Sequence, residues 1–480
     1  MSKIEEQDIG WRSHWLRQAL AESADLTPPL QGNDHADLCI AGGGYLGLWT
    51  ALKLKAVAPE LDIVILEKDI CGGGASGRNS GMLLGAWAKF SALSALRGEE
   101  EALRIIRASQ AAIDDIAAFC GRNAIDCWFD RVGWIWGATC EAQRGAWDDA
   151  LTNLARHGVV SAREVTRHQI AELTGSERHV AGVLDPSAAT IHPGFLARGL
   201  RQAAIRAGVR IFEKSPMLRF GRKSPITIVT PGGQVIARKL VLALNAWSGG
   251  IRELAPAIFN ISSDDAVSKP MPEMLRQAGY ARGPLMIDSR VFVSGYRVTR
   301  DGRLNVGVTG GHIGLGGIVD RRFDAPSRRV SDMRQALREG HPALADFALD
   351  SAWSGAIDRT ASGLPLFGSF PANPDILYGY GFSGNGIGMT FLGGSILASL
   401  VMERADQWSD CALVRPVSRG FPPEPFRFIG AHLVRGAVRR RDHVEHLGRK
   451  AGPIITALAR LAPSGVTPSK VNIARKEARR

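Results

Sequence analysis

The sequence predicts an α/β fold: a Rossmann-type domain interleaved with a second, α+β domain that contains a mixed or antiparallel sheet. Three observations carry that prediction. Residues 36–47, Ala-Asp-Leu-Cys-Ile-Ala-Gly-Gly-Gly-Tyr-Leu-Gly, pass from an apolar strand through a glycine turn into helical spacing. Residues 377–388, Leu-Tyr-Gly-Tyr-Gly-Phe-Ser-Gly-Asn-Gly-Ile-Gly, do the same roughly 340 residues later. Between the two, short apolar runs alternate with polar helical stretches and carry no further nucleotide signature.

The first unit is the more specific. Gly42, Gly44 and Gly47 occupy the glycine positions of G-x-G-x-x-G. There the glycines allow a tight turn, close backbone approach to a pyrophosphate, and helix-on-strand packing. The helix opening at Tyr45 and Leu46 points free N–H groups and its positive end at the phosphates. A second apolar run, Ile63–Leu66, ends in Glu67, 25 residues after Gly42, with Lys68 next. An acid there can accept hydrogen bonds from a ribose. This is a Rossmann-type dinucleotide unit.

Length and composition bound the rest. A chain of 480 residues suggests two domains with appendages. Its 45% hydrophobic and 22% charged residues describe a globular protein. No apolar run approaches the ~18 residues of a membrane span, and no secretory signal is readable at the N-terminus, so a cytoplasmic location is expected. Six cysteines without C-x-x-C spacing argue against a disulfide framework or a metal site. Of the net charge of +12, nine units lie in residues 421–480, which hold 13 Lys and Arg against 4 Asp and Glu.

In chain order, residues 1–35 read as an arm with a helix over Trp11–Ala21, followed by Pro28-Pro29. The crossover helix spans Tyr45–Val57. The glycine-rich run Cys71–Gly81 is costly to order, and a backbone laid along an extended ligand explains it. Helices are expected at Glu99–Phe119, Glu141–His157, Pro193–Ala207 and Ser327–Phe347. Strands are expected within Asp126–Gly137, and at Ala181–Leu184, Val209–Phe212, Ile226–Val229, Val235–Leu244, Arg290–Val298 and Leu304–Val308. The domains follow: nucleotide domain 36–85, 190–260 and 355–405; substrate domain 86–189 and 261–354; basic C-terminal extension 406–480.

Two anion-friendly helix starts at opposite ends of one chain ask for one ligand with two demands. A pyrophosphate meets the first. A reduced isoalloxazine, negative at its N1/C2=O edge, meets the second, so FAD outranks NAD.

The arm motif Pro28-Pro29-Leu30-Gln31-Gly32, Gly42–Gly47, Gly74–Gly81, Asn245-Ala246-Trp247, Trp353-Ser354-Gly355 and Gly381–Gly388 together resemble the D-amino acid oxidase-like flavoproteins, the group with glycine oxidase and sarcosine oxidase. The branch with gamma-glutamylputrescine oxidoreductases and aminophosphonate oxidoreductases is the most similar. These motifs span most of residues 11–405 and are specific for the family, not for a substrate. The resemblance implies that Glu67 binds the adenosine ribose and that Gly74, Ala75, Ser76, Gly77, Arg78, Asn79, Ser80 and Gly81 pass beside the pyrophosphate and flavin. It further implies that Met217 meets adenine, that Asn245 and Trp247 flank the cofactor, and that Gly384, Asn385, Gly386, Ile387 and Gly388 contact the flavin. It places no histidine or cysteine for covalent attachment, so non-covalent FAD is expected.

By the same resemblance the chemistry is oxidation of an amine C–N bond by hydride transfer to flavin, followed by imine hydrolysis to a carbonyl compound. Arg297 and Arg359 are candidate anchors for an acid group, since arginine offers a bidentate fork. A structural ion pair is the plain alternative for each. His192 and His312 are flavin-proximal or structural candidates, and Tyr296 and Tyr380 pocket candidates. Trp87, Trp128, Trp134 and Trp136 wall a pocket or fill the core. Oxygen or an electron carrier takes the electrons, and oligomers are open. The basic tail, with Leu433, Val434, Ile454, Ile455 and Leu458, suits an anionic membrane surface in a dehydrogenase, or packs on the body. A flavin-bearing protein binding nucleic acid through that tail is the reading from another class, without a recognised binding fold to support it.

Overall fold

The computed structural model describes residues 2–3 and 12–463. Trp11, at the start of the expected arm helix, and residues 464–480 of the basic extension lie outside the described residues. Two eight-stranded sheets organise the molecule.

The first sheet is built on Gly32–Ala41, Ile63–Leu66, Arg210–Phe212, Gly233–Leu242 and Asn373–Tyr380, all mutually parallel where they pair. Ile63–Leu66 is buried throughout, as a strand covered on both faces must be. The helix Tyr45–Val57 buries nine of its 13 residues and shows little amphipathicity, because sheet and helices enclose it. Ile387–Val401 packs on it through glycines: a Cβ at Gly394 would lie 2.8 Å from that of Trp49, and one at Gly393 2.8 Å from Leu46. Burying side chains such as Leu48, Trp49 and Ile396 contributes ~1.5–3 kcal/mol each. The two helices thus lie side by side, with both glycine turns at the carboxyl ends of the parallel strands. That is where open α/β sheets bind ligands.

The second sheet runs in the order Leu349–Thr360, Ile258–Ser268, Leu304–Val308, Ser294–Val298, Leu285–Asp288, Trp134–Ala138, Ala181–Asp185, Arg163–Thr166. All neighbours are antiparallel except Leu285–Asp288 beside Trp134–Ala138. The expected mixed sheet is therefore present.

Several boundaries differ from the sequence reading. Residues 355–360, assigned to the nucleotide domain, continue a strand of the second sheet. The helix Glu99–Arg122, assigned to the substrate domain, packs on the helices of the first sheet, with Phe119 edge-on to Trp49 at 4.9 Å. Of Asp126–Gly137 only the end joins a strand, since Trp128 (φ 53°) and Gly133 (φ 77°) turn the chain. The expected helix over Glu141–His157 breaks at Gly145 (φ 73°) and restarts at Asp148. Ser294–Val298 starts late because Arg290 folds back onto Asp288 and Ser294. Val330–Gly340 stops ahead of Pro342, which disfavours helical geometry in the residue before it.

The extension forms two helices, Phe426–His446 and Pro453–Ala459. It docks through Phe421, Phe428 and Ala431 on Phe259, Ile261 and Ile313, and through Ala437 and Val438 on Val291. Arg435 and Arg439 donate to the carbonyls of Gly311 and Gly310. Among the described residues no helix is long and apolar enough to cross a membrane.

Candidate active site

A groove of about 610 Å³ crosses the carboxyl ends of the parallel strands, lined by Gly42, Gly44, Tyr45, Leu46, Glu67, Lys68, Gly74, Ala75, Ser76, Met217, Asn245 and Trp247. Gly42 has φ 116°, and a Cβ there would sit 2.4 Å from the Ala243 carbonyl oxygen. The helix start behind it has no side-chain cap. Its ladder includes Leu48 N–H donating to Gly44 C=O at 3.0 Å, and Tyr45 N–H donates to Ser76 Oγ at 2.8 Å. Glu67 accepts the N–H groups of Gly43 (2.8 Å) and Asp69 (2.9 Å). Burial pushes its carboxyl up to about 7. The Lys68 ammonium lies 3.8 Å over the Trp247 ring.

Beyond Ser76 the groove opens into a cavity of about 180 Å³, the two sharing Tyr45, Ala75, Ser76, Asn245, Phe382 and Thr390. Arg78, Asn79, Ser80, Gly384, Asn385, Gly386 and Ile387 line it from the first domain, Ser263, Asp265 and Ile287 from strands of the second sheet, and Val293 and Thr309 from residues adjoining those strands. The helix Ile387–Val401 also starts without a side-chain cap. Asp358 braces this second turn by accepting the Gly381 N–H. Asn79 closes its own loop, donating to Ser76 C=O at 2.8 Å and accepting the Gly81 N–H at 2.9 Å.

These residues fit FAD. One connected cleft would offer FAD a buried carboxyl for a ribose, a glycine-capped helix start for a pyrophosphate, with Ser76 holding the Tyr45 N–H, and a second glycine-capped start some distance along for the flavin edge. A Cβ at Gly44 would come 2.9 Å from Ser76 Oγ, so a side chain there would close the approach to the first turn. Among the described residues neither histidine nor cysteine lines the groove or the cavity.

Some sequence candidates lie outside the cleft lining. At Gly47 a Cβ would meet the Gly42 carbonyl at 2.0 Å, and at Gly77 the Gly72 carbonyl at 2.4 Å. At Gly81 it would meet the Ile191 carbonyl at 2.2 Å. These glycines serve close packing of the turn and loop. Gly388 faces Leu83 and Leu84.

The four candidates for substrate handling are not in the cavity either. Arg297 spends its guanidinium on the carbonyls of Ser80 and Ile191 and stacks 5.1 Å from Trp15, so it holds the loop. Arg359 is buried, its Nε and Nη2 meet no acceptor among the described residues, and burial pulls it down to about 10. His192 caps the helix Pro193–Arg206 by accepting the Phe195 N–H at 3.0 Å and pairs with Gln18 at 2.9 Å. Burial depresses it to about 2, so it stays neutral. Tyr296 packs with Tyr280 and His341 in the core of the second domain.

The other aromatic and histidine candidates also fall into packing roles. Tyr380 donates to Leu254 C=O, and His312 pairs with Asp320 at 3.2 Å. Trp87, Trp134 and Trp136 are core, the last two stacked at 6.1 Å, and Trp128 packs on His192.

Sequence reasoning missed Ser263, Asp265, Thr309 and Asp358. Ile258–Ser268 contains Ser262-Ser263-Asp264-Asp265, too polar to read as a strand, yet it lies mid-sheet and almost wholly buried. Two adjacent acids between apolar ends were the only signal.

The family model described as FAD dependent oxidoreductase (DAO) matches residues 37–400. The chain belongs to that family. Among its relatives, gamma-glutamylputrescine oxidoreductase of Escherichia coli is 28% identical over 375 residues, covering 78% of this chain and 85% of the relative. Glycine oxidase of Geobacillus kaustophilus is 26% identical over 391 residues, covering 78% and 95%. The crystal structure of a glycine oxidase from that organism superposes with a TM-score of 0.67 over 80% of this chain and 100% of its own, at 23% identity. L-proline dehydrogenase from P. horikoshii gives 0.65 at 17% identity, covering 78% and 94%. This DAO-family chain is thus an FAD-dependent oxidoreductase with the fold of glycine oxidase.

Proposed function

We propose that this enzyme oxidises the C–N bond of a small amine, amino acid or aminophosphonate, giving an imine that water hydrolyses to a carbonyl compound and a free amine. Bound FAD, held without a covalent bond, supplies the acceptor for the hydride. The observation that carries the reading is the small cavity at the far end of the cleft, where the second glycine-capped helix start meets the second sheet. Relatives named for gamma-glutamylputrescine and glycine support it.

The chain's own contribution is positioning and water exclusion. Met82, Leu84, Ile287 and Val293 make the apolar part of the wall. Ser263 offers a hydroxyl from Ile258–Ser268, and Thr309 one from just past the end of Leu304–Val308. Asn385 and Gly386 present the start of the second helix to the flavin edge.

Anaerobic addition of amines and amino acids to the FAD-loaded enzyme tests the reading. At least one should bleach the oxidised-flavin absorbance and release a carbonyl compound; if none does, it falls. Under air, stoichiometric hydrogen peroxide identifies oxygen as the acceptor.

A second reading makes the enzyme a dehydrogenase that passes electrons to a quinone or carrier at an anionic membrane surface. One observation favours it. Phe426, Ile429, Leu433, Leu447, Ile454 and Leu461 of the extension each expose more than half of their surface. Exposed Arg440, Arg449, Lys450 and Arg460 sit among them.

A further inference from the structure

Asp265 lies mid-strand in Ile258–Ser268, is 3% exposed, and lines the cavity. Its Oδ1 accepts Ser80 Oγ at 2.7 Å and Asn305 Nδ2 at 3.3 Å, while Oδ2 accepts no hydrogen bond from a described residue. Gly307 on the adjoining strand keeps the space beside it open, for a Cβ there would come within 2.6 Å of Oδ1.

Among the described residues no cation makes a hydrogen bond or ion pair with this carboxylate, and Arg297 acts on it only through its nearby charge. The charged residues of the lining are Asp265, Asp358 and Arg78. Arg78 donates to the carbonyls of Gly73 (3.0 Å) and Ser354 (3.2 Å) and pairs with Asp324 at 3.6 Å. The nearby Arg297 is held by Ser80 and Ile191 carbonyls. An acid group entering the cavity would be desolvated beside two acidic side chains, with the guanidinium of Arg78 already engaged by Gly73, Ser354 and Asp324. A substrate ammonium would find an acceptor oxygen and neutralise a buried charge.

We propose that Asp265 selects the substrate by charge, receiving an ammonium group, so that the enzyme acts on cationic amines and rejects molecules with a carboxylate or phosphonate at the end that enters the cavity. The selection rests on the C–N oxidation reading above and narrows it. Asp265 is a specificity residue that touches substrate: it receives the ammonium, and the nitrogen to be oxidised passes one proton to the Asp265 carboxylate before hydride leaves the neighbouring carbon, while Arg297 and Arg359 lie outside the cavity lining.

The test uses the full-length, FAD-loaded enzyme and two ligands of the same shape that cannot be oxidised, tert-butylammonium and pivalate. Binding is read from the perturbation of the oxidised-flavin spectrum. The ammonium should bind at least about tenfold more tightly than the carboxylate, a difference one charge-assisted hydrogen bond supplies. Asp265→Asn should abolish that preference with the flavin still bound, and Asp265→Glu should restore it. Equal or tighter binding of pivalate, no perturbation by either ligand, or a preference that survives in Asp265→Asn overturns the proposal. Should Asp265→Asn fail to hold flavin, the wild-type preference and the glutamate variant decide.

Anaerobic reduction by 1,4-diaminobutane, glycine and 2-aminoethylphosphonate separates the two levels. Bleaching by the acids and not the diamine sinks the charge selection and leaves C–N oxidation standing. A retained ammonium preference with no bleaching by any amine or amino acid sinks C–N oxidation alone.

Discussion

At the scale of single residues, the cleft is shaped by groups whose burial moves their ionisation. Burial pushes the Asp265 carboxyl up to about 7 and Asp264 adds to the rise, against hydrogen bonds from Ser80 and Asn305 and the positive charge of Arg297. An alkylammonium stays charged well above that pH. Its affinity should therefore rise with pH, about tenfold per unit while Asp265 is mostly protonated, and level off above about 7. Spectral titration of tert-butylammonium across this range should show the slope, and Asp265→Asn should flatten it. The stability sign is the reverse. A carboxyl with a raised folded-state pKa stabilises the native chain below its unfolded value, and that contribution is lost as pH rises through about 7. Without ligand, Asp265→Asn should accordingly gain thermal stability relative to wild type on the alkaline side.

At the scale of elements, one buried acid ties three segments together. Glu213 accepts the N–H groups of Thr27 in the arm (2.9 Å) and Cys71 at the head of the glycine loop (2.8 Å). It also pairs with Arg198 (3.2 Å) and Arg201 (2.9 Å) of the helix Pro193–Arg206. Asp25 pairs with the same two arginines, at 3.3 and 3.0 Å, and completes the network. Removing the acid leaves two buried guanidinium groups under-compensated. Glu213→Ala should cost about 3–5 kcal/mol in urea unfolding and loosen FAD, because the glycine loop loses its anchor. Glu213→Gln, which keeps the N–H acceptor, should cost less.

At the scale of the whole molecule, the extension has two faces. One buries Ala437 and Val438 against Val291; the other carries exposed Phe426, Ile429 and Leu433 at helical spacing. The full-length enzyme should co-sediment with vesicles containing anionic phosphatidylglycerol and not with purely zwitterionic vesicles. Ile429→Asp with Leu433→Asp should abolish this without changing flavin reduction in solution. Release of the protein by high salt would mark the arginines as contributors.

How much was legible differs between the halves of the cleft. Gly42, Gly44, Glu67, Ser76 and Met217 line one groove, and the first four were legible because a strand, turn and helix unit is local: spacing within a short window places backbone N–H groups and a carboxylate. The same locality exposed Gly384 to Ile387. Arg297 and Arg359 lie outside the cavity because a guanidinium's surroundings are set by whatever the fold packs around it, here backbone carbonyls for Arg297 and, at Arg359 Nε and Nη2, no acceptor among the described residues.

What the sequence by itself determined is the cofactor, the family and the order of the elements, all written in local periodicity. Only the tertiary structure decided which charge faces the substrate. Asp265 enters the cavity through pairing of Ile258–Ser268 with Leu304–Val308 and Leu349–Thr360, contacts between segments about 40 to 100 residues apart. No local pattern encodes that register, so the chemistry of the cavity appears only when the strands are assembled.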